Sequence, residues 1–219
     1  MSEQEGVIKY KLNHRKSPLD KHISISEINA WRTILFKLKL IGQIKGRYDG
    51  YGFGNISQRI IYSSSDKVQF IISGTQTGGI ESLSNFQYCT ILEACPIKNS
   101  IKSAGEVKPS SEALTHASVY QQDKSIKAVI HIHSPEIWKN TEQLKLPYTA
   151  ADIAYGTPEM ADEVKRLFQT DHLQKMCVFS MLGHKDGIIA FSDSIQKTAL
   201  LIIKTYSKAI ALEQNQQQR

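Results

Sequence analysis

Two histidines separated by one residue, His131-Ile132-His133, close the run Lys127–His133, whose β-branched residues read as a short buried strand. Side chains on a strand repeat every two residues, so both imidazoles leave one face and can converge on a single metal ion. Alone, such a pair serves a metal or a hydrogen-bonded polar crevice equally well. Two further segments bear on the choice. Glu112 follows Pro109-Ser110-Ser111 at the start of an expected helix reaching about Gln122, where the helix dipole favours a carboxylate. A third imidazole, His184, lies in the loop Gly183-His184-Lys185-Asp186-Gly187, between the strand-like runs Met176–Leu182 and Ile188–Phe191. Three histidines and a carboxylate are a ligand set for Zn²⁺ or a similar divalent ion with an exchangeable position.

A second group of residues suits an anion. Gly52-Phe53-Gly54-Asn55 opens a strand, and Ser73–Gly79 (SGTQTGG) is a tight loop with several backbone N–H groups and permissive glycines. Ser110 and Ser111 add hydroxyls and amides at a helix N-terminus, so a phosphate would be well satisfied among the three segments. Each taken singly is simply a turn.

These groups need elements to position them. The first twenty-odd residues read as an irregular polar arm. Ser24-Ile25-Ser26-Glu27 has the capping-box pattern, followed by Ile28, Trp31, Ile34, Leu35, Leu38 and Ile41 at helical spacing. The glycine-studded stretch Gly46–Gly54 ends that helix. Strand-like runs follow at Asn55–Tyr62, Val68–Ser73 and Gln87–Ala94, the first two joined by Ser63-Ser64-Ser65-Asp66. Thr157 caps a helix with Pro158 at its first position, and a last helix runs from Ser194 into the polar end EQNQQQR. Strands and helices interleave without strict alternation, which predicts a single three-layer α/β/α domain with a mixed central β-sheet. Its expected bounds are 24–212, with a polar arm over 1–23 and a polar tail over 213–219.

Composition narrows the class. With 41% hydrophobic and 22% charged residues in 219, the chain has the balance of one globular domain. It has no apolar run of about 20 residues, and its N-terminus lacks the pattern of a secretory signal, so no membrane role is expected. Cys89, Cys95 and Cys177 are too few to pair completely and form no CxxC, which predicts buried thiols in the cytoplasm. The net charge of +6 is concentrated at one end: residues 1–50 hold ten Lys or Arg against five Asp or Glu. No aromatic-interleaved basic stripe accompanies it, so the reading is a solvated arm and the exposed face of the first helix, without nucleic-acid binding.

The segments GNIS (Gly54–Ser57), SGTQTGG (Ser73–Gly79), PSSEALTHASVY (Pro109–Tyr120), VIHIHS (Val129–Ser134) and YGTPEMADEV (Tyr155–Val164) follow one another as in the class II aldolase/adducin family, which the chain resembles from about Ile28 to Ile210. Fuculose-phosphate aldolase and ribulose-phosphate 4-epimerase are among its members. Glu112 followed 19 residues later by the His-x-His pair is the most specific part. The resemblance implies metal ligands at His131 and His133, a catalytic acid/base at Glu112, phosphate contacts at Gly54, Asn55, Ser110 and Ser111, and a homotetramer with sites near subunit boundaries. The second phosphate loop has two candidates, Ser73-Gly74 and Thr77-Gly78, of which Thr77-Gly78 is preferred. The family's third histidine directly precedes a glycine; here Asp186 holds that slot and His184 sits two places earlier. His184 is preferred because imidazole suits zinc, with Asp186 as the oxygen-ligand alternative. The stretch between His-Ile-His-Ser and Tyr155 is shorter than in the sugar-phosphate aldolases, and their substrate-facing tyrosine has no assigned equivalent.

The implied activity is a metal-dependent lyase that cleaves a small phosphorylated sugar or related hydroxy-carbonyl compound through a metal-stabilised enediolate. The same machinery supports epimerisation or dehydration. A non-catalytic adducin-like interaction module is the alternative outside enzymology. His14, His22, His172, Trp31 and Trp138 read as structural, and His116, one turn after Glu112, either orients it or serves the core.

Overall fold

The protein is described by a computed structural model covering residues 6–60 and 68–218. Along the chain run β1 (Lys11–Lys16), α1 (Ser26–Lys37), β2 (Gly42–Gln43), β3 (Gly52–Phe53), β4 (Asn55–Arg59), β5 (Phe70–Ser73), β6 (Tyr88–Cys95) and β7 (Ser100–Gly105). The second half holds α2 (Ala113–Gln122), β8 (Ala128–His133), α3 (Pro135–Lys139), β9 (Tyr148–Thr149), α4 (Pro158–Phe168), α5 (Asp171–Met176), β10 (Val178–Met181), β11 (Gly187–Ser192) and α6 (Ile195–Gln217). Nine strands form one sheet in the order β1-β7-β6-β5-β4-β8-β11-β10-β9. Its pairings are antiparallel except β1 with β7 and β9 with β10, which makes it the mixed sheet expected.

The two faces of the sheet bury separate apolar clusters, and strand alternation decides which side chain enters which. On β8, Ile130 and Ile132 point toward α1, α3 and α6, while Val129 joins the cluster of Ala113, Ala117, Met160 and Val164 beneath α2 and α4. His131 and His133 share the Val129 face by the same alternation, which aims them at the start of α2. Each fully buried isoleucine in this strand contributes about 1.5–3 kcal/mol, which anchors His131 between Ile130 and Ile132 and His133 directly after Ile132.

Caps at the later helices match their sequence signals. Thr157 accepts from the Met160 N–H, and Ser194 from the Lys197 N–H. Four local expectations are corrected. Ser24 makes no cap: α1 starts after Ile25, and the Ser24 hydroxyl donates to Ser26 Oγ at 3.2 Å. The arm is not wholly irregular, because His14 and its neighbours form β1, an edge strand held by β7 rather than by apolar burial. The charged face of α1 is not fully solvated either: Arg32 is buried between Ile28 and Leu35, whereas Ile34 and Leu38 are exposed. At the other end α6 continues to Gln217, into the stretch read as a polar tail. Residues 61–67, which include the end of the first strand-like run and Ser63-Ser64-Ser65-Asp66, lie outside the described residues.

Candidate metal centre and anion cradle

Strand β8 lies at the middle of the sheet, paired with β4 on one side and β11 on the other, with Asn55 opposite His131 and Gly187 opposite His133. The turn after β10 brings His184 over this pair; its N–H donates to Met181 O and its own carbonyl accepts from the Gly187 N–H. Gly187 is needed there, because a Cβ at that position would stand 2.6 Å from His184 Cδ2. The resulting cluster is tight. His133 Nε2 lies 3.0 Å from His131 Nε2 and 3.1 Å from His184 Nε2. Glu112, at the N-cap of α2, puts Oε1 3.5 Å from His184 Nε2.

The donor set fits a divalent ion. Zinc–nitrogen bonds of about 2.0–2.1 Å in a tetrahedral site place neighbouring nitrogens about 3.3 Å apart, close to the separations seen. His131 Nδ1 stands 3.2 Å from Ile188 O; an N–H donated there leaves the Nε2 lone pair facing the cluster. Burial, reinforced by the neighbouring imidazoles, holds the pKa values of His131 and His133 well below the ordinary histidine value. Both rings are therefore neutral at pH 7 and can act as ligands. Asp186 is turned elsewhere: its Oδ2 accepts a 2.6 Å hydrogen bond from the Tyr48 hydroxyl.

Beside the cluster, Gly54, Asn55, Thr77, Gly78, Ser110 and Ser111 line one small cavity of about 20 Å³. Asn55 is buried, and its Oδ1, a hydrogen-bond acceptor, has no partner among the described residues. Of the two candidate pairs in the second loop, Gly74 also reaches the cavity, but the Ser73 hydroxyl is used by the Ile56 N–H of β4. Thr77 Oγ1 donates to Gly74 O and closes the loop on itself. The two glycine turns touch backbone to backbone: a Cβ on Gly78 would come 2.4 Å from Gly42 O and 2.6 Å from Gly52 Cα. A larger cavity of about 1090 Å³ runs beneath residues 17–23, and none of the site residues lines it.

Three contributors escaped the sequence reading. Arg32 donates to Thr77 O, Ile80 O and Glu81 O at 2.7–3.0 Å, fixing the second loop from below. Arg47 and Tyr48 form a wall beside His133, with Tyr48 edge-on to its ring at 4.6 Å. The segment ahead of β1 borders the cradle: Gly6 lines it, Tyr10 donates to Ser110 O at 2.8 Å, and Lys9 lies 3.8 Å over the Tyr155 ring. Tyr155 in turn packs against His184, with ring centroids 4.5 Å apart. A glycine-rich turn holding an adjacent arginine and tyrosine was the available signal for the second contributor; the other two had none. His116 belongs to the core, its Nδ1 2.7 Å from Ser57 Oγ. Trp138 also has a structural place, donating to Met181 O. No described helix is long and apolar enough to cross a membrane.

The family model for the class II aldolase and adducin N-terminal domain matches residues 44–207. Among solved structures, YgbL from Escherichia coli is 15% identical with a TM-score of 0.63, covering 84% of this chain and 86% of that one. The l-fuculose-1-phosphate aldolase of Thermus thermophilus is 16% identical with a TM-score of 0.60, covering 86% and 91%. A sugar-phosphate aldolase from Thermotoga maritima is 15% identical with a TM-score of 0.63, covering 87% and 93%. At these identities the likeness is one of fold. No curated protein matches the chain in sequence.

Proposed function

The chain belongs to the class II aldolase/adducin family, and on that premise we propose that it is a metal-dependent lyase of the aldolase type. Its substrate is a small phosphorylated sugar or related hydroxy-carbonyl compound, cleaved by retro-aldol chemistry. The observation that carries this reading is the convergence of the His131, His133 and His184 nitrogens within 4.8 Å of one another, beside a buried glutamate.

When bound by the three histidines, a divalent ion such as Zn²⁺ supplies electrophilic polarisation of a carbonyl oxygen. Glu112 is the acid/base: it delivers a proton to the carbon left by C–C cleavage and removes one in the reverse direction. Gly54, Asn55, Thr77, Gly78, Ser110 and Ser111 receive the phosphate through backbone N–H groups and hydroxyls. Arg32 keeps the second loop in shape without touching the ligand. An interaction module would have no physical need for convergent ligands next to an anion cradle. The reading extends to a cytoplasmic homotetramer. Free cysteines at 89, 95 and 177 support a reducing compartment, and the exposed apolar residues Ile80 and Phe86 offer contact surface.

The test is a metal-loaded screen over phosphorylated ketoses that reads aldehyde release, water elimination and epimerisation in parallel. Aldehyde release lost by 10²–10⁴-fold in Glu112→Gln, with metal retained, is the expected outcome. Bound ion below about one-tenth equivalent after gentle purification would move the protein to the interaction-module class.

A further inference from the structure

Tyr48 touches both halves of the candidate metal centre. Its ring packs edge-on against His133, with centroids 4.6 Å apart, and against Phe53 at 5.1 Å. Its hydroxyl donates to Asp186 Oδ2 at 2.6 Å and accepts from Arg47 Nη2 at 2.8 Å. Asp186 lies two residues after His184, in the short turn that carries this imidazole, and its carbonyl accepts from the Ser134 N–H next to His133. The Arg47–Tyr48–Asp186 chain therefore ties the His184 turn to the β8 end that bears His133, from residues 138 positions apart.

The backbone at both ends is costly to hold. Tyr48 and Asp186 both have left-handed φ, 48° and 64°. A bulky tyrosine pays for that conformation, and it persists only where surrounding contacts over-determine it. Asp186 is 5% exposed, so its carboxylate needs the charge-assisted bond it receives. Held this way, it is directed to the tyrosine and not to the ligand atoms of the three histidines.

We propose that Tyr48 is a positioning residue for the metal centre: through Asp186 it fixes the His184 turn, through its ring it fixes His133, and it keeps the Asp186 carboxylate out of the ligand set. The inference rests on the three-histidine reading given above. It explains how a chain with aspartate beside Gly187 still supplies three imidazoles from a turn only five residues long.

Tyr48→Phe tests it cleanly, since the ring and its packing remain and only the hydroxyl is removed. Supporting groups around ligands are worth about 10–100-fold in metal affinity, so zinc measured by chelator competition should bind that much more weakly. The metal-free variant should remain folded and melt about 3–12 °C lower, as one lost bond to a buried carboxylate requires, so zinc affinity read well below that melting separates positioning from folding. With Co²⁺ as the probe, the visible spectrum of the variant should lose the intensity of a tetrahedral nitrogen site as the freed carboxylate joins the ion. Asp186→Asn tolerates the left-handed backbone and keeps an acceptor for the hydroxyl, so its loss should be smaller. The double variant should be no worse than Tyr48→Phe alone, because both act through one bond. Zinc affinity of Tyr48→Phe within about twofold of wild type, or strictly additive effects in the pair, overturns the inference. Wild-type protein that binds no ion would sink the metal reading itself, and this inference with it.

Discussion

Gly187→Ala is the most direct probe of whether the His184 ring is held where a ligand must be. Gly187 sits opposite His133 in the β8–β11 pairing, and its φ is not left-handed, so alanine meets no backbone objection. The added Cβ would lie 2.6 Å from His184 Cδ2, 3.2 Å from Cγ and 3.0 Å from the His184 carbonyl. Non-bonded carbons need about 3.5–4.0 Å, so the ring must retreat by about 1 Å. That is half the length of a zinc–nitrogen bond, enough to remove the third ligand. Binding energies of roughly 10–16 kcal/mol over four zinc ligands come to about 3–4 kcal/mol each. The expected loss is therefore two to three orders of magnitude in zinc affinity, read by competition against a chromophoric chelator. Stability of the metal-free protein should fall by about 1–3 kcal/mol, since the added methyl overpacks a buried ring. Zinc affinity within threefold of wild type would refute the argument that His184 is a ligand.

Two further outcomes follow from buried groups outside the cluster. Arg32→Lys keeps a cation but replaces three guanidinium bonds to loop carbonyls with at most one or two. It should cost about 3 kcal/mol, roughly 6–12 °C in Tm by calorimetry, and weaken binding of inorganic phosphate; a Tm within 2 °C of wild type would contradict the role given to the loop. His116 is buried, and burial lowers its pKa to about 3 in the folded chain. Below about pH 6.5 the unfolded chain takes up a proton there that the folded chain refuses, so stability falls with pH by up to about 1.4 kcal/mol per unit until the folded pKa is reached. In His116→Gln that slope is missing, and the gap between the two proteins in urea titrations should shrink by about 2 kcal/mol from pH 6.5 to 5.

What the sequence displayed depended on how local the cause was. The paired imidazoles were legible because strand alternation alone sends His131 and His133 to one face, and Thr157-Pro158 and Ser194 marked their helices by chemistry within one turn. The three-layer architecture followed from interleaved apolar runs. Strand β1 was hidden because KLNHRK carries no apolar alternation; only β7, about ninety residues on, makes it a strand. Arg32 was hidden for a similar reason: an arginine on a helix reads as solvated until the loop at 77–81 folds over it. The capping-box pattern at Ser24 lost to a start one residue later, where Ile25 occupies the cap. Tyr48 pairs with Asp186 across most of the chain, a distance no spacing rule reaches.

The rung joining Asn55 to His131 has a metric consequence. One residue belongs to the cradle and the other to the imidazole cluster, and directly paired Cα atoms in an antiparallel ladder stand about 4.5–5.5 Å apart. On the proposed function, the gap a substrate would bridge is thus calibrated by the sheet itself, like marks engraved on a ruler, while the surrounding turns adjust only what lies at either end. Lengthening or shortening that span would require a register slip through the centre of nine hydrogen-bonded strands, which would flip His131 and His133 to the opposite face.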